Sequence, residues 1–350
     1  MRVLIATAQV PFVRGGAEMH AEGLQAALTA AGHQVEQVRL PFKWYPPERI
    51  LDQILATRLL DVTESSGNRI DRVIGLKFPA YLVPHPSKVL WILHQFRQAY
   101  DFWGGEMDDL MQFPNGREVR DAVRSADQAF IPEARAVYAN SQNVAARLKR
   151  FCGIDAAPLY HPPPGAELFR SAPAEDFLYL PSRVNPTKRQ LLVVEALALC
   201  REPVRVRFSG PVDDAGYERA IGDRVRELGL DDRVELLGAA EETTKREHYA
   251  RCLGVVYPPV DEDYGYVTLE AMLASKPVIT CSDSGGPLEF VRDTETGLVA
   301  EPTAAALAGA MDRLWGDRAQ AARWGAAGRE LYDRRDITWQ RVVATLTRDA

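Results

Sequence analysis

Two consecutive α/β units, each a parallel sheet wound on both sides by helices, are what this sequence predicts. Three observations lead there. Short apolar runs of strand length alternate with segments of helical spacing; the alternation occurs twice; and a proline-rich break, His161-Pro162-Pro163-Pro164-Gly165, separates the two series. At 350 residues the chain also exceeds what one hydrophobic core usually organises.

The first series opens with the apolar run Val3 to Ala6, a loop ending Gly15-Gly16, and a helix whose apolar positions Met19, Leu24, Leu28 and Ala31 recur at helical spacing until Gly32 stops it. Val35 to Leu40, Arg72 to Gly75 and Val89 to Leu93 follow as strands, with helices around 48–60 and 117–127. Val137 to Asn140 is a further strand, and Ser141 is placed to cap a helix running to about Phe151. Three successive prolines continue neither a helix nor a central strand, so 161–165 is read as the linker. The second series contains strands at Phe177 to Leu180, Val204 to Phe208, Val234 to Leu237, Gly254 to Tyr257 and Val278 to Thr280, and a helix from about Lys188 to Cys200. A last helix carries Trp339, Val342, Val343 and Leu346 on one stripe that must be buried. The expected domains are 1–165, 166–335, and a C-terminal helix in 336–350 that returns to the first domain.

Composition narrows the function. An apolar fraction of 46% with 26% charged residues is ordinary for a globular protein, and a net charge of -6 argues against a general affinity for nucleic acid. Cys152, Cys200, Cys252 and Cys281 form no Cys-x-x-Cys pair, which disfavours a zinc site or a disulfide framework and suits a reducing cytosol. The apolar run after Met1 is too brief for a signal peptide, and no run reaches the length of a membrane span. A cytoplasmic protein is expected, with any contact at the inner membrane face peripheral.

The chemistry concentrates in Asp261-Glu262-Asp263-Tyr264-Gly265-Tyr266-Val267-Thr268-Leu269-Glu270. Two glutamates eight positions apart flank an aromatic-glycine turn that opens a helix. Gly265 lets backbone approach a ligand, the helix start near Tyr266 and Val267 presents amides to a phosphate, and Glu270 can accept from both hydroxyls of a ribose. Glu262 can reach a second sugar. On spacing alone both acids could equally be solvated groups near a helix start.

The segment resembles the Glu, seven residues, Glu motif of family 4 glycosyltransferases, retaining enzymes of the GT-B fold. Further similarities lie in order along the chain: Gly15-Gly16-Ala17-Glu18 with the family's amino-terminal glycine loop, Arg183 and Lys188 with its basic pair, and Ser209-Gly210-Pro211 with the strand end that follows. Gly285-Gly286-Pro287-Leu288-Glu289 and Thr296-Gly297-Leu298-Val299 extend the match. The resemblance implies two Rossmann-like domains facing across a deep cleft, the first binding acceptor and the second a nucleotide sugar.

Under that resemblance Arg183 and Lys188 neutralise a departing nucleoside diphosphate, with Arg189 an alternative to Lys188, while Gly15, Gly16, Gly210, Glu262, Gly265, Tyr266, Val267 and Glu270 complete the donor site. Read alone, Gly15 and Gly16 are also compatible with an ordinary tight turn, and no full Gly-x-Gly-x-x-Gly marks a dinucleotide cofactor. His94 ends an apolar strand and matches a family histidine that approaches the transferred sugar; a lone histidine can also be structural. The following run departs from the usual family wording, and its Phe96, Arg97, Tyr100 and Trp103 are candidates for an acceptor wall, with Pro41 to Pro47 a second wall.

The expected activity is transfer of a sugar, with retention and without a metal, from a UDP- or GDP-linked donor to a sugar, lipid-linked or small-molecule acceptor, in bacterial polysaccharide, glycolipid or glycoconjugate assembly. No resident cofactor is expected. Two alternatives use the same fold: a sugar-nucleotide epimerase and a non-catalytic sugar-nucleotide binder. A third takes Asp261-Glu262-Asp263 as an Asp-x-Asp metal motif.

Overall fold

The computed structural model describes residues 1–348, and the chain divides into two compact units: Met1–His161 joined by the segment from Thr338 onward, and Pro162–Ile337. The last two residues of the expected 336–350 segment lie outside the described residues.

Unit 1 runs β1 (Arg2–Gln9), α1 (Gly16–Ala30), β2 (Gln34–Pro41), α2 (Glu48–Arg58), a small hairpin β3 (Glu64–Ser65) and β4 (Asn68–Arg69), β5 (Arg72–Lys77), β6 (Lys88–His94), α3 (Gly116–Phe130), β7 (Ala136–Ala139), α4 (Gln142–Cys152) and β8 (Ala157–Pro158). Its main sheet has the order β2-β1-β5-β6-β7-β8 and is parallel throughout. The strands read as continuous apolar runs because both faces are covered. Leu4, Ala6, Ala8, Leu90 and Ile92 point into the core shared with α2, α3 and α4, whereas Val3, Ile5, Val89, Trp91 and Leu93 point the other way, into a core with α1. The period-two alternation of β-strand side chains produces this division.

The second face is completed by α11 (Trp339–Thr347), whose Val342, Val343 and Leu346 join that core. Trp339 packs edge-on against Trp91 at 6.3 Å and sits where a Cβ on Gly23 would collide with its ring. Beneath it, His20 Nδ1 lies 3.0 Å from His161 Nε2, both rings buried against Trp91. The α4 start is capped as the sequence suggests, Val144 N–H donating to Ser141 Oγ, and Gly153 ends the helix with a φ of 69°.

Unit 2 runs β9 (Leu178–Pro181), α5 (Gln190–Leu199), β10 (Val206–Ser209), α6 (Ala215–Glu227), β11 (Val234–Leu236), α7 (Glu242–Arg251), β12 (Gly254–Val256), α8 (Tyr266–Leu273), β13 (Val278–Cys281), β14 (Gly297–Ala300), α9 (Ala304–Gly316) and α10 (Arg318–Arg334). Its sheet order, β11-β10-β9-β12-β13-β14, is again parallel throughout. One local difference from the sequence expectation bears on the site. The helix expected from Lys188 begins only at Gln190, because Pro186–Lys188 form a 3-10 turn capped by Asn185 and Arg189 adopts a left-handed φ of 55°. The kink sets Lys188 off the α5 axis.

In each unit the strand order reverses direction at one point, between β1 and β5 and between β9 and β12. Loops leaving the carboxyl ends of strands at such a point diverge and leave room for a ligand. Among the described residues no helix is long and apolar enough to cross a membrane.

Burial holds the pKa of His20 down to about 3 and that of His161 well below its ordinary value, so both rings are neutral in the fold. Unfolded, each takes up a proton near pH 6.5, so the unfolded chain binds more protons below that pH. Their contribution is present above pH 6.5 and is lost as pH falls, by up to ~1.4 kcal/mol per pH unit for each ring. Buried Asp127 acts oppositely, since its carboxyl takes its proton at about 6. The informative comparison is therefore between proteins. Urea denaturation at about pH 7 and about pH 5 should show the wild type losing more stability than His20→Gln, by about 1 kcal/mol or more.

Candidate functional site

Four loops of unit 2 gather at the switch point. The loop after β9 carries Arg183, Lys188 and Arg189; the loop after β12 carries Glu262 and Gly265; Asp213 follows β10 and Asp283 follows β13. Backbone hydrogen bonds tie three of them together. Val260 N–H donates to Thr187 O (2.8 Å), Asp261 N–H to Asp283 O (2.9 Å), Glu262 N–H to Ser284 O (2.9 Å) and Gly286 N–H to Glu262 O (2.8 Å). Glu262 and Gly285 thus extend the parallel pairing of β12 and β13 past the ends of the strands.

Each cation of the β9 loop meets a carboxylate from another loop. Lys188 Nζ is ion-paired to Glu262 Oε2 and also lies 3.5 Å from the Tyr257 hydroxyl. Arg183 pairs with Asp213 at 3.1 Å, and Arg189 makes a two-pronged pair with Asp283 at 2.7 and 2.6 Å. Tyr257 is buried, and burial first, then the charge of Glu262, raises its hydroxyl pKa well above the usual value, so it stays a neutral donor.

Gly265 precedes α8 with a φ of 81°, a conformation that glycine adopts without strain. The turn aims the amino-terminal end of α8, with Tyr266 and Val267 in its first turn, beside the Glu262 loop. That end carries the positive pole of the helix dipole. Every residue of α8 after Tyr266 is buried, which explains its lack of an amphipathic pattern. Glu270 is 3% exposed, receives Lys245 Nζ at 2.7 Å and the Tyr249 hydroxyl at 2.6 Å, and so is a buried ion-paired carboxylate rather than a solvated one. Gly210 permits the close approach of two strand ends: a Cβ there would lie 2.0 Å from Ser182 O.

The candidates of unit 1 occupy the carboxyl rim of its own sheet. Gly15 and Gly16 start α1, and Gly15 N–H donates to Glu18 Oε2 at 2.8 Å, the half of a capping box that a glycine N-cap allows. His94 ends β6 half-buried, with its Nδ1 2.7 Å from Gln95 O. Of the aromatic run after it, Phe96 packs against Phe42 and Phe78, Arg97 is paired to Asp101 and lies over the Phe102 ring, and Trp103 has the Arg120 guanidinium over its face.

Tyr100 is placed differently from a surface wall. It is 5% exposed and its hydroxyl donates to Asp127 Oδ2 at 2.8 Å, inside a network that includes Tyr81 and Gln95. In the 41–47 segment Phe42 is buried, while Trp44 and Tyr45 are exposed.

Lys245, Tyr249, Tyr257, Asp213 and Asp283 belong to the site yet were not among the sequence candidates. Only Tyr257, an aromatic at the end of an apolar strand, carried a local signal; the others are joined to the site by contacts remote in sequence. Among the described residues no group of three or more His, Cys, Asp or Glu side chains is arranged to hold a metal ion.

Residues 169–331 match the model of the family described as glycosyl transferases group 1. An α-1,3/1,6-mannosyltransferase ALG2 from Dictyostelium discoideum is 32% identical over 122 residues, covering 35% of this chain and 29% of that protein. A D-inositol 3-phosphate glycosyltransferase from Geodermatophilus obscurus is 28% identical over 249 residues, 63% of this chain and 53% of that one. The chain thus spans about half or less of the length of these curated relatives. Among solved structures, a sucrose-phosphate synthase from Thermosynechococcus elongatus superposes with a TM-score of 0.77 at 20% identity, over 98% of this chain and 97% of its own. HepE from Anabaena, in complex with UDP and glucose, superposes at 0.73 with 18% identity over 99% of each chain. These likenesses define the fold as GT-B. The family match covers residues 169–331, just under half of the chain, and together with the relatives it makes that domain similar to those of GT4-like group 1 glycosyltransferases.

Because Glu270 is buried with its two partners, Glu270→Ala should leave Lys245 with only its longer, 3.8 Å pair to Glu242 and Tyr249 without its acceptor, at a cost of about 3 kcal/mol read by urea denaturation. An unchanged midpoint would show that the pair is not formed in solution.

Proposed function

We propose that this protein is a retaining glycosyltransferase that moves a sugar from a nucleoside diphosphate donor to an acceptor hydroxyl. The observation that carries the reading is the convergence of Arg183, Lys188 and the start of α8 at the unit 2 switch point, inside the domain that matches the family. Two cations and a helix amino terminus are suited to a diphosphate, whose charge rises as it departs. UDP or GDP is the expected nucleotide; HepE, of the same fold, is known in complex with UDP and glucose.

Unit 2 is read as the donor domain. Glu270, oriented by Lys245 and Tyr249, is assigned to the ribose hydroxyls, the amides around Gly265, Tyr266 and Val267 to phosphate together with Gly210 of the neighbouring strand end, and Glu262 to the transferred sugar. For Glu262 that requires exchanging the Lys188 ammonium for sugar hydroxyls while Lys188 turns to phosphate. In unit 1, Gly15, Gly16 and His94 are assigned to the donor by family resemblance, and the exposed or half-buried Trp44, Phe96, Arg97 and Trp103 to the acceptor. Tyr100 is better read as support for that loop, given its bond to Asp127.

In the reaction the bond between the anomeric carbon and the β-phosphate oxygen breaks, and its electron pair leaves with the nucleoside diphosphate. The acceptor oxygen forms the new bond on the same face, and its proton passes to the departing phosphate oxygen. Catalysis then rests on orientation and on stabilising the leaving group, with no covalent nucleophile and no metal in this account. Bacterial polysaccharide, glycolipid or glycoconjugate assembly is the proposed setting, in the cytoplasm or peripheral to the membrane. An epimerase or a silent binder is not favoured, since the family matched and relatives such as ALG2 and the D-inositol 3-phosphate glycosyltransferases are glycosyltransferases.

A thermal-shift screen of UDP, GDP, ADP and TDP sugars should single out one nucleotide. With that donor and an acceptor it turns over, Arg183→Ala and Glu262→Gln should each lower turnover by about a hundredfold or more while the fold persists. Full activity in either variant would remove the site assignment. NMR of the first-formed product should show the donor's anomeric configuration, and an inverted anomer would exclude the retaining account.

A further inference from the structure

The cations of the β9 loop are not unpaired; each already holds a carboxylate. Arg183, Lys188 and Arg189 all lie on the loop after β9, and their partners come one apiece from the loops after β10, β12 and β13: Asp213, Glu262 and Asp283. The three pairs differ in kind. Glu262 is itself assigned to the donor, and Arg189 with Asp283 forms a two-pronged bond that locks two loops together.

Asp213 has neither duty, yet it is built into place. Its backbone N–H donates to Val184 O (3.2 Å), Val184 N–H donates to Pro211 O (2.9 Å), and Val184 bridges to Val212, so the segment is stitched directly alongside Arg183. Its carboxylate accepts Asn185 Nδ2 at 2.9 Å through the same oxygen that faces Arg183 Nη1. Asn185 is in turn fixed by accepting from Thr187 N and Oγ1.

We propose that Asp213 is an internal competitor for the diphosphate: it occupies the Arg183 guanidinium when the site is empty of nucleotide and sets how tightly the leaving nucleoside diphosphate is held. The physical reason is exchange. A phosphate that approaches Arg183 meets a guanidinium whose charge is already neutralised, and gains only the difference between its own contact and that of the carboxylate. With the pair about half exposed, that difference is modest, and a modest weakening of product binding favours release of the nucleoside diphosphate after transfer. Asp213 is thus an affinity-setting residue that touches the diphosphate's partner and not the reacting atoms. The inference rests on the reading of unit 2 as the donor domain.

Titration calorimetry of the full chain tests it, using UDP, GDP, ADP and TDP with the matching nucleosides as controls. Asp213→Asn removes the charge while keeping an acceptor oxygen for Asn185. It should bind the preferred diphosphate about two- to fivefold more tightly, with nucleoside affinity unchanged. In an Arg183→Ala background the same substitution should have no effect. Equal or weaker diphosphate binding by Asp213→Asn, or a gain that persists without Arg183, overturns the inference. If the wild type binds none of the four diphosphates, the donor reading of unit 2 fails and takes this inference with it; binding by the wild type without a gain in the variant overturns the inference alone.

Discussion

Parallel pairing carried past the ends of β12 and β13 is the constraint on which the rest of the site depends. Four backbone hydrogen bonds among Thr187, Val260, Asp261, Glu262, Asp283, Ser284 and Gly286 hold three separate loops as one rigid edge. A loop that must present charge cannot also be mobile without losing orientation, and side-chain ion pairs at a surface are too weak to organise it. The backbone ladder does so here. Once Glu262 is fixed, Lys188 has an anchored counter-charge, and the left-handed Gly265 can aim α8 at the same place.

Burial then separates the two glutamates of this segment. Glu262 stays half-buried in its loop against Lys188, whereas Glu270, about one turn into a buried helix, is enclosed by Lys245 and Tyr249 from α7. A buried carboxylate is tolerated only when its lone pairs are occupied, and both partners are supplied by one neighbouring helix. The unit 1 rim is organised in another way. Asp127 is buried beneath the aromatic loop, its pKa raised to about 6 by burial, and is held by Tyr81, Tyr100 and Gln95. That network braces the residues immediately after His94 from below.

The inner strands, the capped start of α4 and the glycine before α8 were readable in the sequence because each depends on local chemistry: apolar runs, a serine oxygen, an unhindered φ; the short hairpin β3 and β4 and the edge strands β8 and β14 were not. The candidate cations were readable through family resemblance, but their partners were not. Asp213, Asp283, Lys245 and Tyr249 lie 21 to 94 positions from the groups they touch, and nothing in their own neighbourhoods announces a distant contact. Tyr100 shows the opposite limitation. An aromatic in a polar, glycine-punctuated run suggests an exposed wall, yet a single buried aspartate on α3 draws its hydroxyl inward. The delayed start of α5 has the same origin, since a proline and an asparagine cap outweigh the helical pattern that follows them.

The central claim is that the loops at the unit 2 switch point bind a nucleoside diphosphate. Hydrogen–deuterium exchange of the full chain, with and without the diphosphate that stabilises it in a thermal screen, tests this most directly. The account predicts slowed exchange at the amides of 182–189 and 262–268, where the β9 loop and the start of α8 meet. Protection confined to other segments, with these two unchanged at saturating nucleotide, would contradict it.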